Sequence, residues 1–325
     1  MKYRVLGKTG LKVSEIGFGA WAIGETAWGS QPEHESIAAL HRAIDLGVNF
    51  IDTAAGYGDG KSERIIGRVL KERREQIYVA TKTPPTPGPW PPSPYCNVDE
   101  RYPESYLRRN VEERLRNLQT DCLDILQLHT WTRAWNRNPR PFEILRKLQS
   151  EGKIRFIGVS TPEHDQNAVN DLMRQGWVDT VQVIYNIFEQ EPAAELLPLA
   201  HETNTGIIVR VVFDEGVLTG KYSKDSQFPE GDFRRRYFAG DRLARAVERV
   251  EVIKQELVGT KFTMAQAAVK WALMHPAVST VITGIRNSSQ AEANAAVSDL
   301  PDLPEDLMVR LRKHAWLRAF WYSGK

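Results

Sequence analysis

The feature that most constrains this fold is an alternation repeated along the chain. Short β-branched or apolar runs recur, and each is followed by a stretch with helical periodicity. The strand candidates are residues 14–20, 49–52, 77–82, 124–129, 154–160, 180–185, 207–212 and 279–284. The helix candidates are 33–46, 62–73, 103–118, 141–151, 163–174, 191–204, 262–275 and 288–297. The runs are apolar on both faces, as strands enclosed between a core and a helix layer must be. Eight such units without a break in composition predict an α/β fold whose parallel sheet closes into an eightfold (β/α)8 barrel. The whole chain, 1–325, then forms a single domain. Residues 3–13 read as an N-terminal hairpin with a Lys-Thr-Gly turn, and 304–318 as an extra C-terminal helix.

Composition excludes several classes of protein. The formal net charge is +2, so the chain carries no overall basic footprint for nucleic acid. Arg234-Arg235-Arg236 is a tight basic cluster of the kind that solvated loops carry. Two cysteines, Cys96 and Cys122, provide no disulfide framework, and Cys122, in an apolar setting, reads as a small core residue. The start lacks the apolar segment of a secretory signal, and no run approaches the ~18–20 apolar residues of a membrane span. The expected setting is the reducing cytoplasm, with no nucleic-acid or membrane partner.

Three long loops, 84–102, 130–140 and 213–240, directly follow strands, where an eightfold barrel builds its active face. Their aromatic residues (Trp90, Tyr95, Tyr102, Trp131, Trp135, Phe228, Phe233, Tyr237) read as walls of a pocket. On the same face three consecutive strands end on ionisable side chains, Asp52, Lys82 and His129, and Tyr57 follows Asp52 in a glycine-rich loop, "AAGYGDG". Tyrosine is a poor acid near neutral pH, with a reference pKa of ~10, and an adjacent ammonium lowers that value. A buried Lys82 needs a counter-charge, which Asp52 supplies. A neutral His129 can orient a substrate oxygen by hydrogen bonding. Such a set delivers a proton to an oxygen that becomes negative during reaction. None of the four is a good nucleophile in this setting, and no His/Cys pair has metal-ligand spacing, so no metal site is expected. The electrons must come from elsewhere, and a hydride from a nicotinamide cofactor is the natural source.

With these residues in hand the sequence resembles the aldo-keto reductases, and in particular the longer, mostly microbial members. The resemblance runs from "LGKTGLKVSEIGFGAW" through "FIDTAAGYGDGKSE", "VATK", "DILQLH" and "IRFIGVS" to "GIRNSSQAEAN". It implies a TIM-type barrel that reduces an aldehyde or ketone to an alcohol with NADP(H), or less expectedly NAD(H). It places the family's tetrad on Asp52, Tyr57, Lys82 and His129, with Tyr57 as general acid. It implies cofactor contacts at Ser160 and Gln182 for the carboxamide, Arg210 beside the nicotinamide, and Gly216, Leu218 and Lys221 over the pyrophosphate. Gly284, Arg286, Gln290 and Asn294 would then surround the adenosine end, and Trp21, Trp90 and Trp131 the substrate.

The stretch after the last strand opens a helix, whose free N–H groups suit an anion, and Arg286 offers a planar donor fork for a phosphate. The same residues also read as a capping box, Asn287 with Gln290. The chain departs from the family pattern at Thr161, where an Asn is usual, at Gln290, where a base is common, at Ala293, where an acid is common, and at Arg210, where many members stack an aromatic ring. A second reading, a cofactor-sensing regulatory subunit with slow turnover, would require a partner surface or a tethered arm. A third, a two-carboxylate hydrolase, would require a second acid at a strand end, and Asp52 stands alone there. The sequence identifies neither the physiological substrate nor the oligomeric state.

Overall fold

A computed structural model describes residues 1–25, 27–73 and 75–323. Ten strands occur among them: β1 Tyr3–Val5, β2 Lys12–Ser14, β3 Ile16–Gly19, β4 Phe50–Asp52, β5 Tyr78–Thr83, β6 Leu123–Leu128, β7 Ile154–Ser160, β8 Thr180–Ile184, β9 Gly206–Arg210 and β10 Val278–Gly284. β3 to β10 pair in parallel with their neighbours in sequence, and β10 closes on β3, giving the eight-stranded barrel that the alternation predicts. β1 and β2 form the expected antiparallel hairpin, with Gly10 in the left-handed region at its turn.

The core has two parts. Between strands and helices lies a continuous apolar layer, and inside the barrel lies a smaller cluster. That inner cluster joins Phe50, Tyr78, Ala80, Ile125, Ile208 and Ile282 to Leu6, Leu11 and Val13 of the hairpin. The hairpin therefore plugs the end of the barrel opposite the strand C-termini. A two-stranded hairpin is marginal alone, but burying each of these side chains contributes about 1.5–3 kcal/mol.

Two differences from the sequence reading stand out. Between β9 and β10 lies a 15-residue helix, Arg242–Glu256, which a count of one helix per strand omits. Its buried residues, Leu243, Ala246, Val247, Val250 and Ile253, follow a helical period. The last helix is shorter than expected, Glu305–Arg312. The chain then leaves helical geometry so that Trp316 can donate its backbone N–H to Phe188 O at 2.8 Å and Arg318 can reach Asp214. Cys122, expected in the core, is exposed, because it sits in the turn that precedes β6. No helix among the described residues is long and apolar enough to cross a membrane.

Candidate active site

Parallel pairing with little stagger brings the ends of β4, β5 and β6 to one rim. Asp52 pairs with Ala80 in register, and Lys82 with Gln127. His129 follows β6 directly and is fixed by its backbone N–H donating to Thr83 O at 2.9 Å. The Tyr57 loop is tied down at both ends: Ala55 N donates to Lys82 O at 3.0 Å, and Ser62 N to Tyr57 O at 3.2 Å. The four residues are thus assembled by the backbone.

Lys82 is the hub. Its Nζ donates to Asp52 Oδ1 at 2.5 Å, to Thr53 O at 2.9 Å and to Tyr57 Oη at 3.3 Å. Asp52 and Lys82 are 2% and 1% exposed, so neither charge can be met by bulk water and each depends on the other. The second Asp52 oxygen accepts from Gln182 Nε2 at 2.7 Å and from Gln127 Nε2 at 3.4 Å. Gln127 is a participant that the strand-end rule missed, because it is uncharged and lies inside β6, next to its last residue and in register with Lys82. The Tyr57 and His129 rings meet edge to face at 6.1 Å.

Burial works against the Lys82 ammonium, but the Asp52 carboxylate and Tyr57 outweigh it and hold its pKa above the ordinary lysine value. Burial, and then the positive charges of Lys82 and Arg210, keep His129 well below its usual value and therefore neutral near pH ~7. Tyr57 corrects an expectation. Burial pushes its phenol above the ordinary value, and Lys82 offsets only part of that rise. Desolvation of a phenolate outweighs one ammonium here, so Tyr57 holds its proton through neutral pH.

The wall beside Tyr57 is aromatic. Trp21 lies against Tyr57 at 6.0 Å with nearly parallel rings, and Phe233 and Trp28 pack on Trp21 at 4.7 and 5.5 Å. Trp90, half-exposed, meets His129 at 5.7 Å on the other side. Trp28 is a wall residue that the sequence reading missed; it lies in the loop after β3. Trp131 does not reach the site. It is fully buried against Trp135 and Phe142, and Tyr102 packs on Trp135 in the same layer. These rings turn under their loops because the helix layer there offers apolar contact. The loop holding Tyr57 also touches the segment Ala22–Gly24 backbone to backbone. A Cβ at Gly58, whose φ is +65°, would lie 2.1 Å from Gly24 O, and one at Gly24 would lie 2.7 Å from the Tyr57 carbonyl carbon.

The expected cofactor residues line the opposite part of the rim. Ser160 and Gln182 are paired in register at the ends of β7 and β8, and the Gln182 amide is turned toward Asp52. Arg210 ends β9. One of its terminal nitrogens donates to Thr161 O at 3.0 Å, and its Nε is buried without a partner. Gly216 and Lys221 lie in the following loop, where Leu218 is wholly buried and its backbone N–H donates to Phe213 O at 2.9 Å. Val211, Asp214 and Glu215 in this loop have φ of +57°, +48° and +55°, strained values above all for a β-branched residue. The C-terminal segment holds Asp214 and Glu215 there, and Asn186 Nδ2 donates to Val211 O at 2.9 Å. Arg318, 3% exposed, grips Asp214 through two bonds of 2.8 and 2.6 Å, and Tyr322 donates to Glu215 at 2.5 Å.

Gly284, the last residue of β10, is exposed, and Asn294 lies in the last turn of the helix Ser288–Ala295, its side chain near Gly284 O at 3.5 Å. Asn287 caps that helix through Gln290 N, and the Gln290 side chain accepts from Arg286 N at 2.8 Å. The Arg286 guanidinium is committed elsewhere. It donates to Gln31 Oε1 at 2.6 Å, to Trp28 O at 2.9 Å and to Ser30 O at 3.0 Å. The fork expected to meet a phosphate therefore also holds the loop that carries Trp28.

Comparison with known proteins bears on this arrangement. The sequence pattern of the Aldo/keto reductase family matches residues 15–315. The chain is 33% identical over 304 residues to aldo-keto reductase YhdN of Bacillus subtilis, spanning 92% of this chain and 89% of that protein. It is 30% identical over 320 residues to the NADH-specific methylglyoxal reductase of Escherichia coli, spanning 92% and 94%. An aldo/keto reductase from Klebsiella pneumoniae, solved in complex with NADP and acetate, aligns with a TM-score of 0.72 at 25% identity over 98% of each chain.

Proposed function

The chain belongs to the aldo/keto reductase family, and on that premise we propose that it reduces an aldehyde or ketone to the alcohol with NADP(H), Tyr57 giving the proton. The observation that carries this reading is the buried ammonium of Lys82 bridging Asp52 and the Tyr57 hydroxyl. When bound, the nicotinamide supplies the hydride, chemistry that no side chain at this rim can provide. The donor set suits such a ligand: Arg210 presents a buried Nε without a partner, beside Ser160 and Gln182. The loop of Gly216, Leu218 and Lys221 would flank the pyrophosphate, and Gly284, Arg286, Gln290 and Asn294 the adenosine end.

The residues of the chain divide the remaining work. Neutral His129 donates a hydrogen bond to the carbonyl oxygen and orients it toward Tyr57. Tyr57 holds its proton at Oη until the oxygen becomes basic, then transfers it. Lys82, kept charged by Asp52, stabilises the phenolate left behind. Trp21, Trp28, Phe233 and Trp90 exclude water and offer apolar surface to the rest of the substrate. Arg286 and the Klebsiella complex favour NADP(H), while the E. coli relative is named for NADH. The exposed and half-buried cysteines are free thiols, in keeping with a cytoplasmic enzyme.

The test is oxidation of NADPH and of NADH against a panel of aldehydes and ketones, with wild type and Tyr57→Phe. Turnover is expected with wild type and near-complete loss with Tyr57→Phe, while cofactor binding persists. A Tyr57→Phe protein with near-normal kcat would remove Tyr57 from the role.

A further inference from the structure

Lys82 faces the site, and strand alternation turns its neighbours Thr81 and Thr83 to the opposite side of β5, against the helices. Both hydroxyls meet one buried polar network. Thr81 Oγ1 donates to Glu63 Oε1 at 2.6 Å, and Thr83 Oγ1 to Asn110 Oδ1 at 2.7 Å. Arg114 joins the two acceptors, its Nε donating to Glu63 Oε2 at 2.6 Å and one terminal nitrogen to Asn110 Oδ1 at 3.1 Å. Asn117 adds a bond of 2.9 Å to Glu63 Oε2. Glu63 and Arg114 side chains are 0% and 2% exposed.

The network also reaches the proton donor. Glu63 lies in the first turn of the helix Lys61–Glu72, which follows the Tyr57 loop without a linker. Its neighbour Ser62 receives the loop through Ser62 N to Tyr57 O, and the Ser62 hydroxyl donates to Ala20 O at 3.0 Å and contacts Thr53 Oγ1 at 2.9 Å. Thr53 O in turn accepts from Lys82 Nζ. Moving Glu63 relative to Thr81 would therefore move Tyr57 relative to Lys82. An apolar pair of similar volume often holds a fold as well as a buried ion pair does, so stability alone is a weak reason for these charges.

We propose that Glu63, Arg114 and Asn110 are positioning residues for proton transfer, fixing β5 on both sides of Lys82 and thereby setting the Tyr57–Lys82 distance. The inference rests on the proposed role of Tyr57. Thr81→Val and Thr83→Val remove one strut each at nearly constant shape, and Glu63→Gln with Arg114→Met removes both charges together. In the double variant kcat should fall roughly 10–100-fold, the scale of a small misplacement of reacting groups. The KM for cofactor should stay within about twofold, because the network touches no cofactor residue. The alkaline limb of kcat for reduction should shift to higher pH, since Lys82 would offset less of the burial effect on Tyr57. The two Thr→Val variants should shift it the same way by less.

Variants that melt earlier but keep wild-type kcat and pH profile would overturn the proposal and leave the network a packing device. If the double variant does not fold, the two Thr→Val variants decide by the same readouts. A Tyr57→Phe protein that stays active would instead sink the underlying reading, so the two failures are distinguishable.

Discussion

The two halves of the rim are built differently. On the β4–β6 side, polar groups converge on Lys82 from strand ends that pair with one another, and Asp52, Tyr57 and Thr53 O all lie within hydrogen-bonding reach of its Nζ. On the β9–β10 side the charged groups are held by distant pieces of chain: Arg286 by the loop around Trp28, Asp214 by Arg318. The first half is organised before any ligand arrives, as the proposed proton transfer requires. If the second half takes the cofactor as proposed, it must exchange partners to do so, and part of the binding free energy goes into breaking internal contacts. Substitutions should therefore act on rate in the first half and on affinity in the second.

The largest effect is expected at Lys82. Lys82→Met should reduce kcat by about 10²–10⁴-fold, the range associated with a positioned acid–base pair. Removing the ammonium also removes the main influence that lowers the Tyr57 pKa against burial. In the proposed mechanism reduction needs protonated Tyr57, so its alkaline limb should move to higher pH, and alcohol oxidation, which needs the phenolate, should demand higher pH still. A wild-type rate and pH profile would break the contrast by making Lys82 structural.

A smaller effect is expected at Arg286. If it takes a 2′-phosphate, Arg286→Ala should weaken NADPH binding by about 1.5–3 kcal/mol and NADH binding little, with the difference shrinking as salt rises. Equal losses for both cofactors would assign the residue to the Trp28 loop that it holds in the free chain. Titration of both cofactors with the purified variant reads this directly.

The smallest effect concerns the C-terminal segment. Burial raises the Glu215 carboxyl to about 7, against the hydrogen bond from Tyr322. A folded pKa above the unfolded value contributes stability that is full below the unfolded value, about 4.5, and lost as pH rises through about 7. Glu215→Gln removes that dependence, so the fall in Tm between about pH 5 and about pH 8 should shrink by an amount equivalent to about 1–3 kcal/mol. Part of the fall should remain, because burial holds Glu189 at about 7 with the same sign. An unchanged Tm profile would show Glu215 ionised throughout and the segment insensitive to pH.

Legibility in the sequence follows the same division. The barrel strands are readable because each is a short apolar run, and the Asp52, Lys82 and His129 positions are readable because each sits where such a run stops. The loop aromatics are not readable in this way, since Trp90 and Trp131 look alike in sequence and only packing sends one to the rim and the other under it. The helix Arg242–Glu256 had a clear period and was hidden by the count of one helix per strand. The pairing of Arg318 with Asp214 spans 104 positions, and that of Arg286 with Gln31 spans 255, and neither has a local signature.

The backbone contact between Gly24 and Gly58 carries a consequence for how such a site can diverge. Neither position accepts even a methyl group without pushing the Tyr57 loop off its seat. Their neighbours Trp21 and Trp28, like Phe233 and Trp90 on other loops, have no comparable restriction, because they meet the site through side chains alone. Substitution can therefore re-cut the aromatic wall while Tyr57, the proposed proton donor, stays where it is. A lineage built on this scaffold is free to change what it reduces long before it can change how.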